Sequence, residues 1–407
     1  MHAPATNETL AGPARPIATG PQRGRREAWV WGAGTWVVLR VVASAAEWAS
    51  SVWLRAGTVL PVPDYTPPAV TGIAGRLAGV WLRADALWYL RVATFGYGPT
   101  TGPGVGSYAF LPLFPQTVRL LRPLFGGNEL YAALFAANAA CIIGLVLLYR
   151  FVADLLDDDA ARAAVAGLAL FPTAFFLVAP YGEPVLLAAG AGALRAAQRG
   201  RYGLAALAAA LAALSRPFGV LLALPLAGLA WGREHRAWIA PAGSAMGLLT
   251  WVALAGSSTD DPLGALHVQA MWQRTFTAPW ATVAHAIPAW WSYRATAYGP
   301  YFLLDILTVV FALGLAGAAF AVLRRRRVPA PVAAGLLGYG ALAILAPLSS
   351  PFPGRPLLSF PRFVLALFPL FVGVAAIPKR LRLPLAVVSA GGLAWGTAMY
   401  VGARPLF

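Results

Sequence analysis

The sequence predicts an all-α, polytopic membrane protein of about eleven membrane segments, and three observations carry that prediction. Of its 407 residues, 59% are hydrophobic and 11% charged, whereas soluble domains are about a quarter charged. The apolar residues gather into runs suited to a hydrocarbon core about 30 Å thick. The positive charge, 31 Lys and Arg against 15 Asp and Glu for a net of +16, lies in short connections between those runs, where it acts as a topology signal and not as a nucleic-acid surface. Cys141, the single cysteine, falls in mid-run, which excludes a disulfide framework and a thiolate metal site.

Residues 1–27 form a Pro/Gly/Ala-rich basic tail with Arg15, Arg23, Arg25 and Arg26, predicted to be disordered and cytoplasmic. Residues 28–407 form a single membrane-embedded domain. Its first span, Ala28 to Leu54, is too long for a signal-peptide core and lacks a small-residue cleavage site, so it is retained. Arg40 and Glu47 lie two helical turns apart on one face of it, a buried polar pair that docks the helix.

Residues 55–129 make the longest polar connection. A Pro-rich start leads into apolar residues at helical spacing from Val70 to Val92, then a glycine-rich stretch (96–106), then an aromatic and proline block from Tyr108 to Phe125. Short amphipathic helices lying in the membrane interface fit that pattern. Further spans fall at 130–151, 163–180 and 183–197.

Residues 202–231 decide the topology. As one helix they would rise roughly 45 Å, well beyond the hydrocarbon core, and Ser215-Arg216-Pro217 interrupts the run. Two short half-spans meeting at Arg216 place Arg233 and Arg236 inside, together with the arginine run 324–327 and the KRLR run 379–382, so the positive-inside rule selects the hairpin. Spans at 237–255, 299–323, 331–347, 361–377 and 384–401 complete the set. The prediction is a plasma-membrane protein with a cytoplasmic N-terminus. Asp85, Glu183, Arg216, the loop 257–298, Arg355 and Arg362 then converge on the extracytoplasmic face.

Polar groups at a membrane face are functional candidates. Arg83-Ala84-Asp85-Ala86, Trp88-Tyr89, Gly96-Tyr97 and Phe110-Leu111-Pro112-Leu113-Phe114-Pro115 resemble the first outer loop of the GPI mannosyltransferase 2 family and its prokaryotic relatives. Phe171-Pro172-Thr173-Ala174-Phe175-Phe176 with Tyr181-Gly182-Glu183, and Ser215-Arg216-Pro217-Phe218-Gly219, resemble two further blocks of that family in the same order. Departures are Ala84 for the usual tryptophan, Gly182 and Pro184 for serines beside the glutamate, and Pro217-Phe218 for Ser-Asn.

The resemblance implies a C-type glycosyltransferase with an all-helical fold. Such an enzyme transfers mannose from a polyprenyl-phosphate carrier to a lipid or glycan acceptor hydroxyl on the outer face, inverting the anomeric carbon. Residues 55–129 would be its catalytic outer loop, and its partners the lipid-linked donor, the acceptor and membrane lipids. It calls for no cofactor.

The residue types suit that chemistry. A carboxylate can take the acceptor proton, and arginine suits a leaving phosphate. Asp85 is the candidate base, with Arg83 and Arg91 as the neighbours that would keep it ionised. Glu183, Arg83, Trp88, Tyr89 and Tyr97 are candidates for acceptor binding or support, and Arg216 and Arg362 for the donor phosphate. Asp305 reads as a polar packing partner. His267 and His285 lie near Asp260 and Asp261 but show no metal-ligand spacing. The Trp-rich loop with Trp272, Trp280, Trp290 and Trp291 reads as an interfacial belt. The competing class is a transporter or flippase for lipid-linked saccharides, whose signature would be paired halves with matching broken helices; a same-fold transferase using another polyprenyl-linked sugar is the nearer alternative.

Overall fold

The computed structural model describes residues 24–53, 61–97, 105–259, 263, 267–268 and 273–402. The predicted tail up to residue 23, residues 98–104 of the glycine-rich stretch, and Asp260, Asp261 and Trp272 lie outside the described residues. The chain folds into helices around one large apolar core, with a small satellite core of Tyr108, Leu111, Trp251, Ala255 and Val268.

Helix α1 (Gly24–Trp53) carries Arg40 and Glu47 3.8 Å apart on one face, with Arg40 stacked over the Trp81 ring. The long connection folds into α2 (Gly72–Gly79), α3 (Asp85–Phe95) and α4 (Leu113–Leu121), with 3-10 turns at Val105–Ala109 and Arg122–Phe125. Sequence periodicity places these helices in the interface. Most of α3 is buried within the protein, with Ala86, Leu87, Tyr89, Leu90, Arg91, Val92 and Ala93 all inside, because α4 and α5 close over it.

Helix α5 (Glu129–Leu155) begins at Asn128, whose side-chain oxygen accepts from the Leu130 and Tyr131 amides at 3.0 and 3.1 Å, an N-cap that satisfies two otherwise orphaned donors. Asp157 caps α6 (Asp158–Ala169) in the same way. The expected span 163–180 is helical only as far as Ala169. Pro172 and Pro180 remove amide donors, and the chain runs on irregularly to Gly182 with one 3-10 turn at Ala174–Leu177. This stretch is packed inside protein, the condition under which non-helical backbone is tolerated at membrane depth.

Helix α7 (Glu183–Gln198) runs away from the charged cluster and α8 (Tyr202–Ser215) returns to it. At Arg216 the backbone is extended, and the chain reverses into a 3-10 turn, Pro217–Leu222, followed by α9 (Ala223–Ala230). The reversal is tight: a Cβ at Gly219 would collide with the Ala212 carbonyl. Arg233 then donates to the Ala197 carbonyl at 2.9 Å, so both outer ends of the hairpin lie beside the end of α7. With 14 residues, α8 rises only about 21 Å.

The chain continues through α10 (Ile239–Thr259), α11 (Pro279–Tyr293), α12 (Gly299–Arg325) and α13 (Ala330–Leu348). It ends with the short α14 (Phe360–Phe363), a 3-10 segment at Val364–Ala376 and α15 (Lys379–Val401). Among the described residues, six helices are long and apolar enough to cross a membrane, and Tyr202–Ser215, Pro217–Ala230 and Phe360–Ala376 are shorter apolar pieces. The protein is an all-helical, multi-pass membrane protein.

Charged residues divide between the two ends of this bundle. At one end, Asp154 pairs with Arg195 and Arg199, Asp157 with Arg326, and Asp159 with Lys379 and Arg382. Asp85, Glu183, Arg216 and Arg362 meet at the other.

Candidate functional site

Four connections supply the charged cluster. Asp85 opens α3, Glu183 opens α7, Arg216 forms the hairpin tip, and Arg362 lies in α14. Arg362 bridges the two acids, with its Nη1 2.5 Å from Asp85 Oδ2 and its Nε 3.1 Å from Glu183 Oε1. Arg216 Nη2 is 3.3 Å from the same Glu183 oxygen, and its Nη1 donates to the Tyr89 hydroxyl at 3.0 Å. The order is therefore Asp85, Arg362, Glu183, Arg216, Tyr89, in which acids and bases alternate.

Burial is uneven along that order. The side chains of Glu183, Arg362 and Arg216 are 5%, 8% and 9% exposed, whereas that of Asp85 is 27% exposed. Asp85 is thus the end of the chain that solvent reaches. Glu183 is enclosed; both its oxygens, together with the Nε atoms of Arg216 and Arg362, lack a well-directed hydrogen bond. These groups line a narrow crevice with Leu186, Phe218, Phe363 and Ala366. Buried polar atoms left in this state are costly, and a buried ion-pair network is weak evidence of stabilisation.

An aromatic bed supports the cations. Arg362 lies over the rings of Phe176, Tyr181 and Phe363 at 5.4 to 5.6 Å, and Arg216 over Phe363 at 5.9 Å. Tyr89 meets Phe110, Phe114 and Tyr181 edge-on. Burial pushes the Tyr89 and Tyr181 hydroxyls up from their ordinary pKa, which keeps both as neutral hydrogen-bonding groups.

The backbone beside Asp85 is strained. Ala84, which precedes α3, has φ 46° and ψ −128°, a conformation that stores on the order of 1–3 kcal/mol in a residue other than glycine. Ser359, ahead of α14, also has a positive φ of 71°.

The other sequence candidates lie elsewhere. Arg83 does not pair with Asp85: its guanidinium donates to the Leu82 carbonyl at 3.0 Å and the Val401 carbonyl at 3.4 Å. Arg91 turns to the Pro63 carbonyl at 3.3 Å. The cation on Asp85 is Arg362, 277 residues away. Trp88 stacks on Phe110 at 5.7 Å, and Tyr97 joins the satellite core, stacked on Tyr108 and donating to the Phe110 carbonyl. Asp305 receives a two-pronged contact from Arg355 at 2.6 and 2.9 Å.

Sequence reasoning passed over Arg274. Its Nη1 donates to the Ser350 carbonyl at 2.6 Å. Burial lowers its pKa, the charge of Arg362 lowers it further and that of Asp85 opposes this, so it shares the electrostatic environment of the cluster. Its lack of any local motif hid it.

A scan against protein-family models finds no match, and neither does a search of curated proteins. Among solved structures the chain is similar to the oligosaccharyltransferase of Archaeoglobus fulgidus in a complex with zinc and sulfate, at 14% identity and a TM-score of 0.40, over 91% of this chain and 53% of that one. It is also similar to archaeal oligosaccharyltransferase AglB from the same organism with an inhibitory peptide and a dolichol-phosphate, at 12% identity and a TM-score of 0.40, over 93% and 56%. The chain spans about half the length of these proteins. Likeness of this degree assigns it neither an activity nor a ligand.

Proposed function

We propose that the chain is a C-type glycosyltransferase that moves mannose from a polyprenyl-phosphate carrier to a hydroxyl of a lipid or glycan acceptor on the extracytoplasmic face. One observation carries this reading: a buried run of alternating acids and arginines in a helical membrane bundle ends in a carboxylate, Asp85, that solvent reaches. The motifs around Asp85, Glu183 and Arg216 add the resemblance to the GPI mannosyltransferase 2 family.

In this mechanism the Asp85 carboxylate takes the proton of the acceptor hydroxyl. The acceptor oxygen attacks the anomeric carbon from the face opposite the carrier, the bond from that carbon to the phosphate oxygen breaks, and the carrier monophosphate leaves with inversion. Arg362 is the nearest cation to receive the phosphate. A phosphate arriving at Arg362 competes with Asp85 for the guanidinium, so donor binding itself releases the base. Glu183, enclosed between Arg362 and Arg216, holds both cations in place. Arg216 is a candidate phosphate ligand from sequence; its engagement with Glu183 and Tyr89 fits a supporting role.

The test is transfer of labelled mannose by purified protein from synthetic polyprenyl-phosphate-mannose into a membrane lipid extract. Transfer by the wild type and its loss in Asp85→Asn are expected. Carrier translocation without a new glycosidic bond would replace this reading with a flippase.

A further inference from the structure

Asp85 follows directly on Ala84, whose positive φ an alanine leaves unless its flanking peptide planes are held. One of those planes is held by the far end of the chain. The Arg83 carbonyl, in the plane joining residues 83 and 84, accepts from the Tyr400 hydroxyl at 3.1 Å and from the Ala86 amide at 3.0 Å. The Arg83 guanidinium reaches back to the Leu82 and Val401 carbonyls. Turning the 83–84 plane to give Ala84 an ordinary negative φ would break the contacts from both Tyr400 and Ala86.

The same tyrosine reaches the ring bed beneath the other half of the ion pair. Its hydroxyl lies 3.2 Å from that of Tyr181, whose ring supports Arg362 at 5.4 Å. Its ring packs on Trp81 at 6.0 Å, and Trp81 is fully buried. One residue of α15 therefore fixes the turn that presents Asp85 and borders the bed that supports Arg362.

We propose that Arg83 and Tyr400 form a reciprocal clasp that fixes Ala84 in its left-handed conformation and so aims the Asp85 carboxylate at Arg362, with Tyr400 a positioning residue for transfer. The aiming role rests on Asp85 being the base; the clasp itself does not. Tyr400→Phe keeps the ring and removes the contact to the Arg83 carbonyl. Ala84→Gly removes the backbone penalty without touching substrate or the hydroxyl.

The experiment combines transfer kinetics with hydrogen exchange of residues 84–90 in purified protein. Tyr400→Phe should lower kcat about tenfold with donor KM within about twofold, since misplacement of a catalytic group acts mainly on kcat. It should also lower protection of the Ala86 and Leu87 amides. Adding Ala84→Gly should restore both, and Arg83→Gln should behave as Tyr400→Phe does if the latter fails to fold. Unchanged protection in Tyr400→Phe would overturn the clasp. A drop in protection with full transfer activity would overturn its aiming of Asp85, and losses that glycine does not relieve would assign Tyr400 to packing alone. Retained transfer by Asp85→Asn would remove the base assignment and with it the aiming role, while the exchange data would still decide the clasp.

Discussion

The two charged ends of the bundle use the same side chains to opposite effect. At the basic end, the Lys379 and Asp159 side chains are 79% and 40% exposed, and those of Arg326 and Asp157 52% and 35%. Exposed pairs of this kind are worth about 0–1 kcal/mol. At the site end, Glu183, Arg216 and Arg362 are all but removed from solvent, where the desolvation of each charge offsets most of the attraction between them. Apart from Arg195, whose side chain is 8% exposed, the basic end can lose a partner to water; the site end cannot. Charge at the first end stays largely in water, and charge at the second is held out of it at a cost.

The largest effect should come from Arg362→Met, which leaves Asp85 and Glu183 facing no bridging cation. Removing one partner of a buried network costs about 3–5 kcal/mol, read as a fall in unfolding free energy in detergent or lipid. A loss below about 1 kcal/mol would mean that water screens the cluster as it screens the basic end.

Asp85→Asn comes next. It should lower kcat at least about a hundredfold, about 2.7 kcal/mol of activation free energy, with the protein folded and still binding donor. Near wild-type turnover would pass the role of base to Glu183. Lys379→Ala should change stability by no more than about 0.5 kcal/mol, measured in the same unfolding assay; a larger loss would contradict the contrast between the ends.

The last prediction concerns sidedness and carries no energy change. Glu234, exposed just beyond the hairpin, should be labelled as Glu234→Cys, in a Cys141→Ala background, from the cytoplasmic side only. Labelling from outside would separate the hairpin ends from the other basic clusters.

Much of the fold was legible in the sequence because hydropathy and loop charge are local signals. The hairpin at Arg216 could be read from a run too long for one crossing with a proline at its middle. The helical part of 163–180 was overextended, since an apolar run alone does not separate α-helix from coil packed inside protein, and Pro172 and Pro180 were the available warning. At the site, motifs pointed to Asp85, Glu183 and Arg216 one at a time. The contact of Arg362 with Asp85 spans 277 residues and is fixed by the packing of α14 on α12 and α13, for which no spacing in the sequence stands proxy. Arg83 and Arg91 looked like partners of Asp85 because they are neighbours in sequence, yet their side chains serve backbone carbonyls. The same limit hid Arg274.

The segment that delivers Arg362 is unusual in its reach. Val364–Ala376 follows the four residues of α14 as 3-10 segments broken by a kink at Leu367, whose φ −75° and ψ 16° are not helical. A 3-10 run rises about 2.0 Å per residue against about 1.5 Å in an α-helix, so each piece on either side of the kink reaches further than an α-helix of its length. The gain over the same residues in an α-helix is at most about 6 Å, roughly one α-helical turn. Arg362 is thus held at the head of a jointed segment and not of a rigid rod, and the joint at Leu367 can take up a change in length on its far side.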